Sequence, residues 1–389
     1  MFDAERVASF EGLETPFYYY DLSLLRETLQ ACKNAADPAQ FHVHFALKAN
    51  FNSRVLALIQ AYGFGADCVS GGEVQKAVET GFDKKQIVFA GVGKSDVEIN
   101  YALDQDIFAF NVESIQELEV INELATIKGK TAAVAIRINP NVDAHTHQYI
   151  TTGLDENKFG INSWDLPQVS ETLKNCKNLK FLGIHFHIGS QITDMNVFKS
   201  LCVKVNEMQD WFEERGMPVK VLNVGGGLGV DYYHPDENAI ADFESYFKIF
   251  KDFLNIKPYQ EVHFELGRAL VAQCSSLISK VLYVKHGIKK NFVIIDAGMT
   301  ELMRPALYQA YHQIENISRL QLITDNSQLT TRYDVVGPIC ESSDCFGKEV
   351  LLPETKRGDL IALRTAGAYG EVMSSAYNLR PAIRHAYSE

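Results

Sequence analysis

A lysine at the end of an apolar segment is the first residue whose type and position could do chemistry. In the stretch FHVHFALKAN, Lys48 follows a run of apolar and aromatic residues that predicts a β-strand. Burying a lysine is costly unless its pKa is lowered or its amine is bonded. At the C-terminal end of a barrel strand, the neutral amine would be a nucleophile suited to Schiff-base chemistry. The alternative is a lysine whose stem is buried and whose ammonium group stays in water.

Four glycines follow another predicted strand, in VLNVGGGLGVDY. Gly225, Gly226, Gly227 and Gly229 would let the backbone approach a ligand closely and point its N–H groups at an anion, usually a phosphate. The spacing is neither that of a dinucleotide-binding GxGxxG motif nor that of a Walker motif. A tight turn that binds nothing is the alternative.

Two further segments place charged or aromatic side chains near strand ends. HFELGRAL carries Glu265 and Arg268, and a carboxylate facing a ring nitrogen with an arginine facing a phosphate is what pyridoxal phosphate (PLP) requires of a protein. An ordinary ion pair is the alternative. GIHFHIGSQI puts His185 and His187 on one face of a strand. They could ligate a metal, or one ring could stack on a flat cofactor while the other is structural.

Polar clusters also occur near the C-terminus, in GMTELMRPALYQAYH, CESSDCFGKE and GAYGEVMSSAYNLRP. Arg304 and Tyr308 could hold a substrate carboxylate, together with Tyr369. Glu341 could hold a substrate amine, and the Cys340 thiol could deliver a proton. Each of them alone is more often a solvated surface or turn residue.

Repeated strand–helix units must position these residues. From about residue 40 to residue 266, short β-branched or aromatic runs alternate with longer amphipathic stretches, which predicts a parallel sheet. Seven or eight such units favour a (β/α)8 TIM-type barrel over an open doubly wound sheet. We expect a barrel domain over residues 25–270. Residues 271–389, with 1–24, would form a β-sandwich or β-barrel-like C-terminal domain.

Composition excludes several classes of protein. The 389 residues are 46% hydrophobic, and 37 basic against 49 acidic side chains give a net charge of −12. A chain this acidic offers no basic surface for binding nucleic acid. It also lacks an apolar run of about 18 residues, which a membrane-spanning helix would need. The charged N-terminus does not resemble a signal peptide, so we expect a cytoplasmic protein. Seven cysteines without a CxxC pair predict free thiols rather than structural zinc.

In this order, the motifs resemble those of the PLP-dependent decarboxylases of the alanine-racemase-like barrel fold, the fold type III family. The resemblance runs from FYYYDL to YNLRP and includes FALKAN, GADCVSGGE, HFHIGSQI, NVGGGLG and ELGRAL. Within the family, RPALYQAYH with CESSD resembles the members that convert meso-diaminopimelate to L-lysine and CO2, the last step of lysine biosynthesis. A carboxynorspermidine or other polyamine-type decarboxylase of the same fold is the alternative.

The resemblance assigns roles to the cofactor site. It implies that Lys48 binds PLP covalently, that His187 stacks on its ring and that Glu265 pairs with the ring nitrogen. The residues around or close to the phosphate would be Ser190, Gly226, Gly227, Arg268 and Tyr369. Asp67 and Arg137 would be second contacts near Lys48 and the phenolic oxygen of the cofactor.

The resemblance also implies a substrate site and an oligomeric state. Substrate would be bound by Arg268, Arg304, Tyr308, Glu341 and Tyr369. Cys340, or a water that it orients, would protonate the product carbon. Family members act as homodimers in which Cys340 and Glu341 come from the partner chain, so a monomer would lack a complete site.

Two other kinds of protein could share parts of this pattern. A metal-dependent barrel hydrolase would use the His42/His44 or the His185/His187 pair with Asp296. His42 and His44 begin their strand, however, and would face the rim opposite the catalytic one. A PLP-carrying protein without enzymatic activity would not need the C-terminal clusters. We therefore expect no metal and a small-molecule substrate.

Overall fold

The computed structural model describes residues 2–141, 158–319 and 330–388. The chain forms two compact units. The first, called the barrel unit here, contains Thr28–Gly229 and Ala241–Leu270. The second, called the β unit, contains Met1–Glu27, Val230–Ile240 and Val271–Glu389.

Strands and helices alternate through the barrel unit, whereas strands dominate the β unit. In chain order the strands are β1 (Phe17–Tyr20), β2 (His42–Ala46), β3 (Gly65–Cys68), β4 (Ile87–Phe89), β5 (Ala109–Val112), β6 (Ala132–Arg137), β7 (Leu179–His185), β8 (Val221–Asn223), β9 (Glu261–Leu266), β10 (Ser275–His286), β11 (Asn291–Ile295), β12 (Ile314–Asn316), β13 (Thr330–Val336), β14 (Cys345–Pro353), β15 (Leu360–Leu363) and β16 (Arg384–Tyr387). The α-helices are α1 (Ala4–Ala8), α2 (Leu22–Ala36), α3 (Ser53–Ala61), α4 (Gly71–Thr80), α5 (Asp96–Gln105), α6 (Ile115–Ile127), α7 (Leu166–Asn175), α8 (Met195–Glu213), α9 (Phe243–Phe253), α10 (Arg268–Val271) and α11 (Arg304–Tyr308).

Strands β2 to β9 form a closed parallel barrel in sequence order. The last strand, β9, returns to pair with the first, β2, and this register sets His44 opposite Glu265. Strands of a parallel barrel are covered on both faces, which explains why their sequences are nearly continuous apolar runs. The predicted (β/α)8 barrel is confirmed, and the doubly wound alternative is wrong.

Local sequence signals fix where the barrel helices begin and end. Helix α4 begins after Ser70, whose Oγ accepts a hydrogen bond from the backbone N–H of Glu73 at 3.2 Å, and it ends at Gly81 with φ 92°. Ser95 and Glu98 form a capping box at the start of α5. Glu98 also accepts from the N–H of Gly71 at 2.7 Å, which ties α4 to α5. No described helix is long and apolar enough to cross a lipid bilayer.

The segment that carries Lys48 differs from the predicted strand. Strand β2 ends at Ala46, and Leu47–Ala49 form one turn of 3-10 helix. This turn is anchored because Leu47 and Ala49 are both fully buried. Lys48 therefore lies just beyond the strand, at the C-terminal rim of the barrel, with its side chain 36% exposed.

The β unit is built on a mixed sheet in which the described strands follow the order β12-β15-β10-β11-β13-β14. Strand β1, from the start of the chain, runs antiparallel to β10 and parallel to β16. Phe17 and Tyr19 of β1 pack with Phe2, Phe10 and Ile278 in one apolar cluster of this unit. A strand-rich unit separate from the barrel was predicted and is confirmed.

Candidate active site

Apart from Tyr369, which lies in the β unit, the residues predicted to bind the cofactor gather at the C-terminal rim of the barrel. Lys48 follows β2, Asp67 lies in β3, Arg137 ends β6, His187 follows β7 and Glu265 lies near the end of β9. Because parallel strands bring their carboxyl ends to one rim, residues far apart in sequence become neighbours there. The Lys48 charge acts on Asp67, His187 and Glu265.

Glu265 is a buried carboxylate held by three donors. Asn111 and Asn223 donate from Nδ2 to Oε1 at 2.8 and 2.7 Å, and Nε2 of His185 lies 3.0 Å from Oε2. Burial alone would raise the pKa of Glu265, but His185, His187 and Lys48 outweigh it and hold the pKa well below its usual value. Glu265 is therefore ionised at neutral pH.

Asp67 is in the opposite electrostatic situation. It is buried, and among the described residues neither of its carboxylate oxygens has a hydrogen-bond partner. Nζ of Lys48 lies 3.9 Å from Oδ2. Burial, followed by the charge of Glu265, raises the pKa of Asp67, and Lys48 opposes this only in part. A buried carboxyl group with one charged neighbour and no hydrogen bond has acceptor capacity left for a ligand.

The guanidinium group of Arg137 pairs with a second buried carboxylate. Nη1 donates to Oε1 of Glu113 at 2.8 Å, and the side chains of both residues are almost fully buried. Glu113 also accepts from the backbone N–H groups of Gly91 and Gly160, at 2.8 and 3.2 Å. Glu113 therefore fixes the position of Arg137 at the rim.

The glycine loop packs too closely on its neighbours to carry side chains. A Cβ on Gly226 would lie 2.0 Å from the carbonyl oxygen of Glu265, and one on Gly225 would lie 2.2 Å from that of Phe186. Gly227 has φ 109°, a conformation that disfavours other residues. The loop therefore brings its backbone directly against the ends of β9 and β7, as a phosphate cradle requires.

Two side chains with phosphate-binding chemistry lie at this same rim. Buried Arg268 donates from Nε and Nη2 to Oγ of Ser190 at 3.3 and 3.0 Å. His187 accepts a hydrogen bond from the N–H of Gly226 on Nδ1 at 3.4 Å. Burial and the Lys48 charge lower the pKa of His187, so its ring is neutral and able to lie against another flat ring.

The residues at this rim fit pyridoxal phosphate. They provide an amine on Lys48, an ionised carboxylate for the ring nitrogen on Glu265, a neutral imidazole on His187, and a guanidinium group beside a glycine loop for the phosphate. The carboxylate oxygens of Asp67 and the buried Nδ1 of His185 have no hydrogen-bond partner among the described residues, which leaves polar atoms for a ligand to satisfy.

Of the predicted substrate residues, Arg268 lies in the barrel unit, whereas the others lie in the β unit, in two groups. Arg304 and Tyr308 share helix α11. Arg304 is buried, with Nη1 2.9 Å from Nε2 of His312, whose Nδ1 donates to the carbonyl oxygen of Arg364 at 2.8 Å. This chain of bonds orients the guanidinium group. His312 was not predicted from the sequence, although it lies eight residues after Arg304 in the same motif.

The second group lies in the loop between β13 and β14. Cys340 is exposed, and its N–H donates to Oδ1 of Asn378 at 3.4 Å. Glu341 is exposed and accepts from the hydroxyl of Tyr377 at 2.8 Å. Tyr369, partly buried and at φ 55°, lies in the segment that precedes Tyr377.

Asn111, Asn223 and Glu113 were missed by the sequence prediction. Each lies at or just after the end of an apolar run, in FAFNVE or VLNVGG. A polar residue that closes a buried strand was the available signal. Asp296, which the hydrolase alternative required, instead accepts hydrogen bonds from Ser279 and Thr15 within the β unit.

Residues 22–272 match the model of a known family, described as pyridoxal-dependent decarboxylase, pyridoxal binding domain. A diaminopimelate decarboxylase from Bacteroides thetaiotaomicron is 59% identical over 375 residues, 96% of this chain and 95% of that protein. One from Aquifex aeolicus is 40% identical over 372 residues, 94% of this chain and 85% of that protein. The crystal structure of diaminopimelate decarboxylase from Helicobacter pylori complexed with L-lysine superimposes with a TM-score of 0.91 at 40% identity, covering 98% of this chain and 94% of that one.

The matched segment contains Lys48, His187, Glu265, Arg268 and the glycine loop. PLP, predicted as the cofactor, is confirmed by this match. The similarity to the curated decarboxylases extends beyond the barrel through nearly all of the β unit, at identities far above those that indicate a fold alone. The chain belongs to the diaminopimelate decarboxylase family of pyridoxal-dependent decarboxylases.

Proposed function

We propose that this chain decarboxylates meso-diaminopimelate to L-lysine and CO2, the last step of lysine biosynthesis, with PLP as its cofactor. The observation that carries the proposal is Glu265, a buried carboxylate held ionised at the same barrel rim as Lys48. A ring nitrogen beside this charge would stay protonated, as the reaction requires. The Bacteroides relative and the lysine complex of the Helicobacter enzyme support the choice of substrate and product.

The barrel residues would bind and polarise the cofactor. When bound, PLP supplies an electron sink for the electron pair that remains when the carboxylate leaves. Lys48 would hold it through Nζ, and Arg268, Ser190 and the glycine loop would hold its phosphate. Asp67 and Arg137 would contact it near its phenolic oxygen.

The β unit would recognise the far end of the substrate. Diaminopimelate has two amino-acid ends, so one end must react while the other is held as a zwitterion. Arg304 and Tyr308 would bind the distal carboxylate, and Glu341 would bind the distal amine. Arg268 and Tyr369 would contact the end that reacts. His312 supports this assignment because it fixes the guanidinium plane of Arg304.

Protonation of the product and completion of the site would depend on a second chain. Cys340 would deliver the proton directly or through a water that it orients. We propose a cytoplasmic homodimer in which Cys340 and Glu341 act at the partner's cofactor. The exposure of both residues, on a loop of the β unit, is compatible with such a role.

A substrate comparison tests the proposal. The purified holoenzyme is given meso-diaminopimelate, lysine, ornithine and carboxynorspermidine in parallel, and CO2 release is measured. We expect turnover of meso-diaminopimelate with L-lysine as the product. A preference for carboxynorspermidine would favour the alternative decarboxylase, and no turnover of diaminopimelate would show the proposed function to be wrong.

A further inference from the structure

Three side chains with metal-binding chemistry meet at the end of the barrel opposite the active site. His42 begins β2 and Glu261 begins β9, and His263 lies two residues further along β9. Within the described residues, their ligand atoms all lie within 4.8 Å of one another. His42 and His263 face each other across the β2–β9 pairing that closes the barrel.

The closest pair already has the spacing of metal ligands. Nε2 of His263 lies 3.3 Å from Oε2 of Glu261. Two ligands about 2.0–2.1 Å from a tetrahedral zinc ion are roughly 3.3 Å apart. The remaining gap can be closed by side-chain rotation, because His42 is exposed and the Glu261 side chain is 56% exposed.

A chain of hydrogen bonds behind His263 orients its Nε2 towards Glu261. Nδ1 of His44 must donate to the carbonyl oxygen of Gln86, at 2.9 Å, because a carbonyl only accepts. Nε2 of His44 lies 2.8 Å from Nδ1 of His263. Both rings are buried. In the neutral tautomers that this geometry allows, His44 accepts from Nδ1–H of His263, and Nε2 of His263 faces Glu261.

Nε2 of His263 contacts a carboxylate oxygen of Glu261 at 3.3 Å, and a metal cation between these two atoms would be bound by both. A metal-binding histidine usually donates its other N–H to a fixed acceptor, as His263 does to His44. Phe108 stacks on the His263 ring, at 5.1 Å between centroids and 11° between planes, and holds its orientation.

The cluster is reachable from solution. It lines a cavity of about 630 Å³ at this end of the barrel, together with His44 and Phe108. Two imidazoles and one carboxylate are a ligand set for zinc and related divalent transition metals, with water as the fourth ligand. The absence of a CxxC pair from the sequence excludes only a zinc site built from cysteines. The three residues of this cluster are histidines and a glutamate, so that exclusion does not apply to them.

We propose that His42, Glu261 and His263 bind one divalent transition-metal ion, with zinc as the best-suited metal, and that this ion links the first and last strands of the barrel. The site lies at the beginning of the two strands whose other ends carry Glu265 and lead to Lys48. Its role is structural rather than catalytic, because the reacting groups lie at the opposite rim.

Zinc titration of variants tests this proposal. The holoenzyme is prepared in a Cys340→Ala background, which removes the thiol that is exposed, then treated with EDTA, desalted and titrated with ZnCl2 by calorimetry. We expect one site per chain, with the zinc affinity lowered at least about tenfold by His42→Ala and by Glu261→Gln. His286→Ala, which removes an exposed histidine elsewhere, is the matched control and should leave the affinity unchanged.

Thermal unfolding provides the second readout. Zinc should raise the unfolding temperature of the background protein and of the His286→Ala variant, because a ligand that binds the native state stabilises it. The shift should be lost in His42→Ala. His42 and Glu261 are exposed, so their variants are expected to fold. The proposal would be overturned if His42→Ala and Glu261→Gln both left zinc binding unchanged. The absence of a saturable zinc site in the background protein would overturn it as well.

Discussion

At the scale of single residues, the surroundings of two buried carboxyl groups, Glu265 and Asp67, shift their pKa values in opposite directions. Glu265 accepts hydrogen bonds from Asn111 and Asn223, and His185, His187 and Lys48 lower its pKa against the effect of burial. Asp67 instead has the Lys48 charge at 3.9 Å and no hydrogen bond among the described residues. Buried groups whose environments push their pKa values apart are typical of sites that do acid–base chemistry. The difference arises from neighbours, since both groups are buried.

Glu265→Gln is predicted to impair catalysis more than folding. The amide keeps the shape of the side chain but removes the negative charge that would hold the ring nitrogen protonated. We expect the decarboxylation rate to fall about 100-fold or more, as when a preorganised electrostatic group is removed, while the cofactor is retained. Stopped assays of CO2 release and the visible spectrum of the variant measure the two effects.

Glu117→Gln is the matched control, because Glu117 is also a largely buried carboxylate in the barrel unit and pairs with Lys94 at 2.6 Å. It should lower stability without a comparable loss of rate per folded molecule. Equal rate losses in the two variants would contradict a special role for Glu265.

Cys340→Ala is predicted to keep the cofactor and lose most turnover, because Cys340 is assigned to proton delivery and not to cofactor binding. Cofactor content by absorbance and the rate of lysine formation test this. Cys345→Ala, at a partly buried thiol five residues away, serves as the control. A near-wild-type rate for Cys340→Ala would remove its assignment as the acid.

At the scale of elements, the glycine loop that follows β8 packs against the ends of β7 and β9. A Cβ at Gly226 would overlap the backbone of β9, where the carbonyl oxygen of Glu265 lies 2.0 Å away. Gly226→Ala should therefore displace the loop, weaken cofactor binding and destabilise the protein by about 1–3 kcal/mol. Cofactor dissociation and the midpoint of chemical unfolding measure these effects.

Gly93→Ala is the control for the loop substitution, because a Cβ there would meet nothing within 4 Å and the residue has no positive φ. It should leave both the cofactor affinity and the unfolding midpoint close to those of the unchanged chain. If Gly226→Ala behaved in the same way, the close packing of the loop would not matter for binding.

Strand–helix alternation was sufficient to predict the barrel, and local motifs were sufficient to select Lys48, the glycine loop and Glu265 as candidates. These features are local, since each depends on a few consecutive residues. The network around Glu265 was not predicted, because Asn111 and Asn223 become its partners only through the order and register of the barrel strands. The His44–His263 contact likewise joins residues 219 positions apart and depends on the closing pairing of β2 with β9.

At the scale of the whole molecule, the proposed homodimer makes a prediction about mixed subunits. Lys48→Ala should be inactive because it cannot hold the cofactor, and Cys340→Ala because it lacks the acid. If Cys340 acts in the partner's site, each mixed dimer contains one site with neither change. Mixing and reassociating equal amounts should therefore restore about a quarter of the wild-type activity.

The measurement is the rate of lysine formation before and after mixing, with each variant also mixed with itself. Self-mixed samples should remain inactive. Size-exclusion chromatography and differential tagging establish that the sample contains mixed dimers. If such a sample shows no recovery of activity, Cys340 and Lys48 of one chain belong to the same site.

The pairing of β9 with β2 also bears on when the enzyme becomes active during its synthesis. Lys48 follows the first barrel strand, whereas Glu265 and Arg268 lie in and just after the last one. The residues proposed to hold the cofactor are therefore synthesised more than 200 residues apart. A ribosome that has released only the first half of the barrel unit exposes the lysine without the carboxylate or the arginine. If these residues hold the cofactor as proposed, we expect cofactor loading to be a late event of biosynthesis and a chain truncated before β9 to be inactive.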